Sequence, residues 1–463
     1  MTLPRLTRED MAILRLEAGD IAGHTLKLLV LDPPAGGPRP GLEEIRTAVG
    51  ARLASAPELL RRLASTPLGL AAPAWVDDDD FAIERHVRPV EAREPVGPER
   101  LRQIVAGAMR ERLDRAHPLW SLDVVERLED GGLALIWKLH HVMADGTAAM
   151  RIGREVLWDT EPGMRTPPAA PWTPAPAPGW TGLLGDAVQE GVRSAVAGAA
   201  RLPRLLAPQA WRSALGEARR LPGAIGRDML PARGESPLAR RISGQREVAF
   251  ATAPLGRLRA IEKAHGEGVT VNDVVLAVVA GALRSWIERH HGPLPALRVK
   301  VPVSLHDREA ADDHLANRDS FMCVTLPLGE PDPVRRLLNI NRQTSERKRQ
   351  HDPEVIDELF RDLARGSRSL ERLAESLAGS PRVFGLTVSN VPGPREPLYV
   401  AGCPVRSMQS LAEIGQRHGL RACAVSYAGT VYFGLCADPT VVDRLAYLAQ
   451  ALEDEVAALA LGA

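Results

Sequence analysis

The stretch His140-His141-Val142-Met143-Ala144-Asp145-Gly146 places an Asp-Gly pair four residues after the second of two adjacent histidines. An apolar run, residues 133–137, precedes it, and a segment with helical spacing, residues 147–158, follows it. Neutral imidazole titrates near neutral pH, so a histidine at a strand end can accept a proton from a hydroxyl or an amine. A nearby carboxylate can hold the loop, and a glycine lets the backbone turn where a side chain would not fit. We therefore predict a general-base corner here. A buried histidine pair that only satisfies backbone groups is the structural alternative.

Length and composition narrow the class of protein. The 463 residues exceed what one hydrophobic core usually supports, so two domains are expected. The 58 basic residues balance the 58 acidic ones, and no overall field indicates binding to nucleic acid. The four cysteines lack the spacing of metal ligands, which predicts buried thiols in a reducing cytoplasm and no metal site. Met1 is not followed by the apolar core of a signal peptide, and the longest apolar run, residues 274–283, is about half a membrane span.

The pattern of apolar residues divides the chain into three zones, residues 1–160, 161–240 and 241–463. The first zone should contain strands at 26–32, 121–125 and 132–139, and helices at 41–63, 98–115 and 147–158. The last zone should contain strands at 248–250, 297–303 and 321–328, a helix at 274–287, a hairpin at 422–437 that turns at Ala428-Gly429, and a final helix that begins at Asp438-Pro439. Strands and helices mix in both zones, which favours two α/β units side by side.

The middle zone has the composition of a linker followed by a basic helical connector. Prolines crowd residues 161–180, and arginines outnumber acidic residues in the helical stretches of 181–230. These arginines include Arg193, Arg201, Arg204, Arg212, Arg219 and Arg220. Such helices either pack on the body of the protein with their arginines in water, or lie on an anionic membrane or lipid surface.

Five further motifs accompany the paired histidines in a fixed order along the chain. Pro118-Leu119-Trp120 lies upstream of the histidines, and Asn272-Asp273 and Pro302-Val303-Ser304-Leu305 lie in the second half. Ser389-Asn390-Val391-Pro392-Gly393-Pro394 then precedes Ser426-Tyr427-Ala428-Gly429. Together these motifs closely resemble the bacterial bifunctional wax ester synthase/diacylglycerol acyltransferase (WS/DGAT) family, which is part of the CoA-dependent acyltransferase superfamily. The resemblance covers essentially the whole chain, and its joint specificity is high although each motif is short.

The resemblance implies both a fold and a reaction. The fold would be α/β, with two lobes like those of chloramphenicol acetyltransferase and a substrate tunnel between them. The reaction would move a long acyl group from acyl-CoA, which is a substrate and not a cofactor, onto diacylglycerol or a long-chain alcohol. The products would be triacylglycerol and wax ester. His141 would act as the general base without a covalent intermediate, in agreement with the lack of a Gly-x-Ser-x-Gly nucleophile motif.

Two other functions stay open at this stage. One is a condensation-type acyltransferase that acts on a specialised metabolite. The other is a lipid-surface-binding relative without turnover, against which the intact histidine pair argues because a coat protein has no need of it. We expect a cytoplasmic protein, either free or peripheral on the inner face of the membrane or on lipid inclusions. The sequence does not indicate an oligomeric state.

The motifs suggest roles for the residues around the predicted base. His140 would orient the loop or the ring of His141, and Gly146 would complete the turn. By analogy with the superfamily, Asp145 would hold the loop by pairing with a distant arginine that the sequence does not identify. Asn272 either donates a hydrogen bond to the developing oxyanion or caps a helix.

The candidate substrate-binding residues lie elsewhere in the chain. Asn390 would help to shape a rigid turn beside the tunnel, because the prolines after it fix the backbone. Trp120 either packs in the core or forms part of the tunnel wall. His306 stands where relatives often have arginine after Pro-Val-Ser-Leu, which leaves its role open.

The phosphates of CoA call for a basic surface near one tunnel mouth, and two clusters of basic residues are candidates. The first comprises Arg342, Arg347, Lys348 and Arg349, and the second comprises Arg361, Arg365, Arg368 and Arg372. Charge runs of this kind also occur on helix faces that only meet water, so each cluster has that alternative.

Overall fold

A computed structural model describes residues 3–17, 19–34, 36, 38–161, 172–205, 223, 236–304, 319–352 and 380–462. Their strands are β1 (His24–Leu31), β2 (Arg61–Ala64), β3 (Ala74–Asp77), β4 (Val87–Pro89), β5 (Trp120–Val125), β6 (Leu133–His140), β7 (Glu247–Pro254), β8 (Leu297–Ser304), β9 (Asp319–Leu326), β10 (Leu386–Pro392), β11 (Tyr399–Val400), β12 (Cys403–Ala412), β13 (Leu420–Tyr427) and β14 (Thr430–Ala437). Their α-helices are α1 (Arg8–Leu16), α2 (Leu42–Gly50), α3 (Ile83–His86), α4 (Pro98–Arg110), α5 (Gly146–Val156), α6 (Trp180–Leu205), α7 (Leu255–Ala264), α8 (Val271–His291), α9 (Pro333–Gln350) and α10 (Leu445–Leu461). The predicted α/β class is confirmed.

The first large sheet is built around β1, whose eight residues are all buried. Its strand order is β11-β12-β1-β6-β5-β4, and β5 and β6 form the predicted antiparallel hairpin. Leu29 and Leu31 pack into the core beneath α2 and α5, whereas Leu26 and Leu28 pack into a core shared with α4 and the second sheet. Burial on both faces accounts for the nearly unbroken apolar sequence of this strand.

The second large sheet has the strand order β7-β14-β13-β10-β8-β9. In it β10 runs parallel to β13 and β8, and the other neighbours are antiparallel. Helix α8 is apolar along most of its length because it is buried among this sheet, α7, α9 and α10. Thr270 and Asp273 begin it with a capping box, in which each side chain binds the backbone N–H of the other residue.

Strand β12 comes from the second half of the chain but lies in the first sheet. It pairs with β1 in antiparallel register and also contacts β13 and β14 of the second sheet. Gly434 allows this approach, because a Cβ atom there would lie 2.1 Å from the Ser410 carbonyl oxygen. The predicted zone 241–463 therefore contributes β11 and β12 to the other lobe. The zone boundary could not show this, because the sequence of a strand alone does not predict which sheet the strand joins.

Three predicted helix boundaries are wrong for local reasons. The helix expected at 41–63 ends at Gly50, and two short 3-10 turns and β2 take its place. The helix expected at 98–115 ends at Arg110. The last helix begins at Leu445 and not at Asp438, whose carboxylate instead accepts hydrogen bonds from the backbone N–H groups of Ser243 and Thr440.

The predicted connector is described only in part. Helix α6 lies within it as expected, while residues 162–171, 206–222 and 224–235 lie outside the described residues, and with them Arg212, Arg219 and Arg220. Among the helices that the structure describes, none is long and apolar enough to cross a membrane.

Candidate active site

The paired-histidine stretch forms the strand–turn–helix corner that the sequence predicted. β6 ends at His140, which is opposite His24 of β1. The His141 backbone N–H then donates to the carbonyl oxygen of Gly23 at 3.1 Å, and that of Met143 donates to His140 at 2.9 Å. Asp145 is the N-cap of α5, with its carboxylate accepting from the backbone N–H of Ala148 at 2.6 Å. The turn is thus held by backbone bonds on one side and by a capped helix on the other.

The first histidine is fixed inside the protein. His140 is fully buried, and its Nδ1 accepts a hydrogen bond from the backbone N–H of Val142 at 3.2 Å. Its Nε2 lies 3.1 Å from Oε2 of Glu17, a residue 123 positions earlier in the chain. Because Nδ1 accepts, Nε2 carries the ring hydrogen and donates it to Glu17. His140 therefore joins the turn to α1 and does not face the space on the His141 side.

Glu17 is a site residue that the sequence did not single out. Its side chain is 3% exposed, and it also pairs with the guanidinium group of Arg115. Burial raises the pKa of Glu17, but the hydrogen bonds from His140 and Arg115 outweigh burial, so the pKa lies below its ordinary value. The carboxylate is ionised and holds the His140 ring in one orientation. Nothing in the local pattern around residue 17 reveals a partner so distant in sequence.

Replacing Glu17 by glutamine is expected to lower kcat for acyl transfer about ten- to a hundredfold, the loss usual for a residue that orients a functional group through a neighbour. The substrate KM should stay within about threefold, because Glu17 has no substrate contact to lose. Glu111→Gln is the matched control, since Glu111 accepts from the Lys138 ammonium at 2.8 Å on the same face of β6 but leaves His140 untouched. Steady-state kinetics of both variants decide the matter. Equal effects of the two substitutions would contradict this role of Glu17.

His141 follows His140 directly, so its side chain leaves the strand end on the other side. The residue is partly exposed, while its ring Nε2 is buried. Burial lowers the pKa of His141 well below 6.5, and the positive charges of Arg421 and Lys27, with His140 and His24, lower it further. The imidazole is therefore neutral at neutral pH, as a general base must be. Arg421 comes from β13 of the second sheet, so both lobes determine the protonation of this ring.

Lys27 is an unexpected buried cation on the central strand beside His141. Its ammonium donates to the Ser410 hydroxyl of β12 at 2.5 Å. Burial lowers the pKa of Lys27 to about 8, while attraction to Cys423 and Asp145 opposes that change. The resemblance implied a distant arginine as partner of Asp145. The Asp145 carboxylate is one of the groups whose charge favours the protonated form of Lys27, and an arginine partner of Asp145 stays a prediction.

Gly146 is needed for space and not for a special backbone conformation. A Cβ atom at this position would lie 2.7 Å from Cγ2 of Val391 on β10, and the φ angle of Gly146 is not positive. The expectation that a side chain would not fit at this turn agrees with the contact, although the backbone there is not left-handed. The residue lets the corner of the first lobe touch the Ser389–Pro394 motif of the second, which joins two distant motifs in one contact.

Asn272 and Asn390 meet on the second lobe. The Asn390 Nδ2 donates to the Asn272 Oδ1 at 3.4 Å, a long hydrogen bond. Asn272 is the second residue of α8, whose cap is Thr270, so the alternative of a helix cap at Asn272 is wrong. A hydrogen bond from Asn272 to an oxyanion stays a prediction. Asn390 directly precedes Val391, so it lies beside the contact with Gly146.

The other predicted substrate-binding residues have different surroundings. Trp120 is opposite Leu139, the residue before His140. It is 2% exposed, donates from Nε1 to the Leu59 carbonyl oxygen at 2.8 Å and stacks on His86, so it packs in the core, and a place in the tunnel wall stays a prediction. Arg342 is exposed whereas Arg347 is 6% exposed, so they occupy different faces of α9 and do not form one cluster. His306 and the second predicted cluster, Arg361, Arg365, Arg368 and Arg372, lie outside the described residues.

Two cavities are outlined by described residues. One borders the turn after His141 and is lined by Glu58, Arg61, Trp75, Val142 and Met143. The other lies in the first lobe around Arg39, Val90 and Glu126. Neither is lined by the His141 ring, so the substrate tunnel stays a prediction.

Comparison with known proteins identifies the family to which the chain belongs. The sequence model of the wax ester synthase/diacylglycerol acyltransferase catalytic domain matches residues 6–275, which include Glu17, the histidine pair and Asn272. The model of the WS/DGAT C-terminal domain matches residues 315–460, which include Asn390 and Val391. The chain belongs to the WS/DGAT family. The acyltransferase class predicted from the motifs is thereby confirmed.

Individual relatives agree with this membership. A Mycobacterium tuberculosis protein named as a probable diacylglycerol O-acyltransferase is 30% identical over 480 residues, which cover 98% of this chain and 95% of the relative. The solved WS/DGAT structure from Marinobacter aquaeolei VT8 has 25% identity and a TM-score of 0.67, with 99% of each chain covered. The first condensation domain of the calcium-dependent antibiotic synthetase, at 17% identity and a TM-score of 0.59 over 99% of this chain and 95% of that one, shares the fold. The two-lobed architecture expected for this WS/DGAT member is confirmed.

Proposed function

We propose that this WS/DGAT member transfers a long acyl chain from acyl-CoA to the hydroxyl of diacylglycerol or of a long-chain alcohol. His141 is the general base of the proposed reaction, and no covalent acyl-enzyme forms. The observation that carries the proposal is the partly exposed His141 with its lowered pKa, at the corner where Gly146 meets Val391 of the other lobe. A neutral base between two lobes suits two substrates that approach one another there.

In the proposed reaction one side chain, His141, both accepts and returns the proton. The acceptor oxygen attacks the thioester carbonyl carbon while His141 takes the hydroxyl proton. The tetrahedral intermediate then breaks its C–S bond, and the departing CoA thiolate takes the proton back from His141. Positive charge on Lys27 and Arg421 and a donor on Asn272 favour the negative oxygen of the intermediate. Holding both substrates against one base can itself remove about 7–11 kcal/mol of barrier in well-oriented systems.

The proposed chemistry needs acyl-CoA as a substrate and no cofactor. The thioester is already activated, so acyl transfer to a hydroxyl requires neither an oxidant nor a reductant, and the proton carrier is a side chain. The proposed partners are therefore acyl-CoA and a lipid acceptor.

The acceptor is tested by offering radiolabelled palmitoyl-CoA to the purified protein with dioleoylglycerol, with hexadecanol or with buffer alone. We expect labelled triacylglycerol, wax ester or both, above the free palmitate formed in buffer. No ester with either lipid would contradict the proposed function. Acylation of a small hydrophilic alcohol or amine instead would favour the condensation-type alternative, and binding of lipid without any turnover would favour the lipid-surface protein.

Helix α6 suggests how the protein reaches its lipid substrates. Asp186 anchors the helix through an ion pair with Arg5 at 2.6 Å, and Ala187 is buried. On the outside, Trp180, Val188 and Val192 are 60%, 56% and 57% exposed. Large apolar side chains held in water on an anchored helix are typical of a surface that enters the headgroup region of a membrane. We therefore place the protein peripherally on the inner face of the membrane or on lipid inclusions.

Placing glutamate at both Trp180 and Val188 should weaken binding to phosphatidylglycerol liposomes at least about tenfold, because it removes apolar contact and adds repulsion. Co-sedimentation with liposomes measures the effect. The combination of Thr181→Glu and Gln189→Glu is the matched control, since both positions are exposed on the same helix and the changes add the same two charges without removing a large apolar group. Unchanged binding of the double variant would remove α6 from the lipid contact.

A further inference from the structure

The face of the second sheet that looks toward the first lobe carries a row of cations. Lys300 of β8 and Arg421 of β13 are both register partners of Thr387 on β10, between them. Side-by-side residues of neighbouring strands point to the same face, so the three side chains form one row. Cys436, the partner of Arg421 on β14, packs into a core with Leu26 of the first lobe. The row therefore faces the space between the lobes.

Neither cation of this row has a carboxylate partner within the part of the chain that the structure describes. The Lys300 ammonium lies over the rings of Phe321 and Phe384, at 4.3 and 5.6 Å from their centroids. Aromatic faces hold a cation in place but do not neutralise its charge. Arg421 donates from Nη1 to the backbone oxygen of Glu413 at 3.1 Å, and its buried Nε has no described hydrogen-bond partner. The Glu413 carboxylate is taken by Arg246, at 2.9 Å.

Half-buried positive charge without a counter-charge is costly, and a bound anion offsets that cost. The row lies beside the strand end that carries the proposed base. Arg421 binds the backbone oxygen of Glu413, the Glu413 N–H donates to the His24 carbonyl oxygen at 3.2 Å, and His24 is opposite His140. Neighbouring strands are about 4.8 Å apart, so the backbones of Lys300 and Arg421 are about 10 Å apart and their long side chains can meet above Thr387. A guanidinium fork, an ammonium and a hydroxyl together match the oxygens of a phosphate group.

We propose that Lys300 and Arg421, with Thr387 between them, form a phosphate-binding subsite beside His141. The subsite rests on the proposed acyl transfer, which brings substrates to this ring. The phosphate belongs either to the CoA of the donor or to an anionic headgroup of the acceptor, and these sources are separable by experiment. The subsite differs from the predicted cluster on α9, where exposed Arg342 and buried Arg347 face different ways.

The first measurement is binding of CoA itself to the full chain by calorimetry, which needs no turnover. If the phosphate is that of CoA, Lys300→Met and Arg421→Met should each weaken CoA binding about tenfold, as expected for the loss of one charge-assisted hydrogen bond. Thr387→Glu should have at least the same effect, because it puts a carboxylate between the two cations. This variant also keeps the test open if removal of a buried cation harms folding. Arg335→Met, on the exposed face of α9, is the control and should bind CoA normally.

The second measurement separates the two sources of phosphate. With the CoA source, the Lys300→Met and Arg421→Met variants should show a KM for palmitoyl-CoA raised about tenfold. For Lys300→Met, kcat/KM with S-palmitoyl-pantetheine, which has no phosphate, should match that of the unchanged protein. Arg421→Met is judged by CoA binding and KM alone, because Arg421 also acts on His141 and on the intermediate. With the acceptor source, CoA binding stays normal, while the KM for 1-oleoyl-glycerol 3-phosphate rises and that for dioleoylglycerol does not. Either pattern supports the subsite.

Normal CoA binding together with a normal KM for the anionic acceptor in these variants would overturn the subsite. The proposed function can fail separately. If the protein binds CoA through the row but esterifies no lipid, the subsite is supported and the proposed lipid acyl transfer is contradicted. If the variants esterify lipid normally with unchanged KM values, the acyl transfer is supported and the subsite is contradicted.

Discussion

Replacing His141 by alanine is expected to lower kcat for ester formation by about a hundred- to ten-thousandfold, the range that a positioned proton carrier contributes. The melting temperature should change by only a few degrees, because the residue is partly exposed and the turn is held by backbone bonds from Gly23 and His140. Ester formation from radiolabelled palmitoyl-CoA measures the loss. His141→Gln, which keeps the approximate size without the basicity, should be equally inactive. Near-normal turnover of either variant would rule out His141 as the base.

The same ring sets the pH dependence of the reaction. In the folded protein the pKa of His141 lies well below its ordinary value of 6.5, because burial and neighbouring positive charges disfavour the protonated form. Lowering the pH through 6.5 should therefore leave kcat/KM unchanged, with a fall only at lower pH, where the ring takes up a proton. The unfolded chain does bind that proton below pH 6.5, so folding stability falls as the pH drops, and circular dichroism must confirm folding at each point. An acid limb at or above pH 6.5 would contradict the lowered pKa.

Replacing Gly146 by valine should lower kcat about a hundredfold, because a shift of about 1 Å in a catalytic group can cost that much. The added Cβ would lie 2.7 Å from Cγ2 of Val391, so either the corner that carries His141 or β10 has to move. Overpacking of this kind also costs about 1–3 kcal/mol of stability. Kinetics and thermal denaturation of the single variant measure both effects.

The compensating change is Val391→Ala, which removes the methyl groups that Gly146→Val would meet. Alone it should have a small effect on kcat, and combined with Gly146→Val it should restore part of the lost activity. A double-mutant cycle expresses this rescue as a coupling between the two lobes. Purely additive losses would mean that Gly146 acts through the turn alone and that its contact with Val391 is unimportant for catalysis.

The sequence predicted elements whose signals are local. The corner of His141 was correctly placed because an apolar strand, a turn and a capped helix follow one another within the same short stretch. The hairpin of β13 and β14 turns at Ala428-Gly429 as expected, with both φ angles positive. The last helix was misplaced because Asp438 satisfies a cap pattern while it serves the loop at Ser243 instead.

The parts of the site that were missed depend on distant contacts. Glu17 reaches His140 across the first lobe, and the row of Lys300 and Arg421 exists only because parallel strands place Thr387 between them. A buried lysine such as Lys27 interrupts the apolar pattern of its strand. Its burial is explained only by the hydrogen bond to Ser410, which is distant in sequence. The sequence motifs predicted the family and the proposed base. The contacts that orient the histidine pair and lower the pKa of His141 depend on the tertiary structure.

The position of β12 between β11 and β1 has a consequence for how the protein is made on the ribosome. Until about residue 412 has left the exit tunnel, β1 lacks one of its two neighbours and has a free edge of backbone N–H and C=O groups. An open edge on an apolar strand invites pairing with other nascent chains. The half that carries the paired histidines should therefore need protection by chaperones during synthesis, and when expressed alone it should aggregate rather than fold.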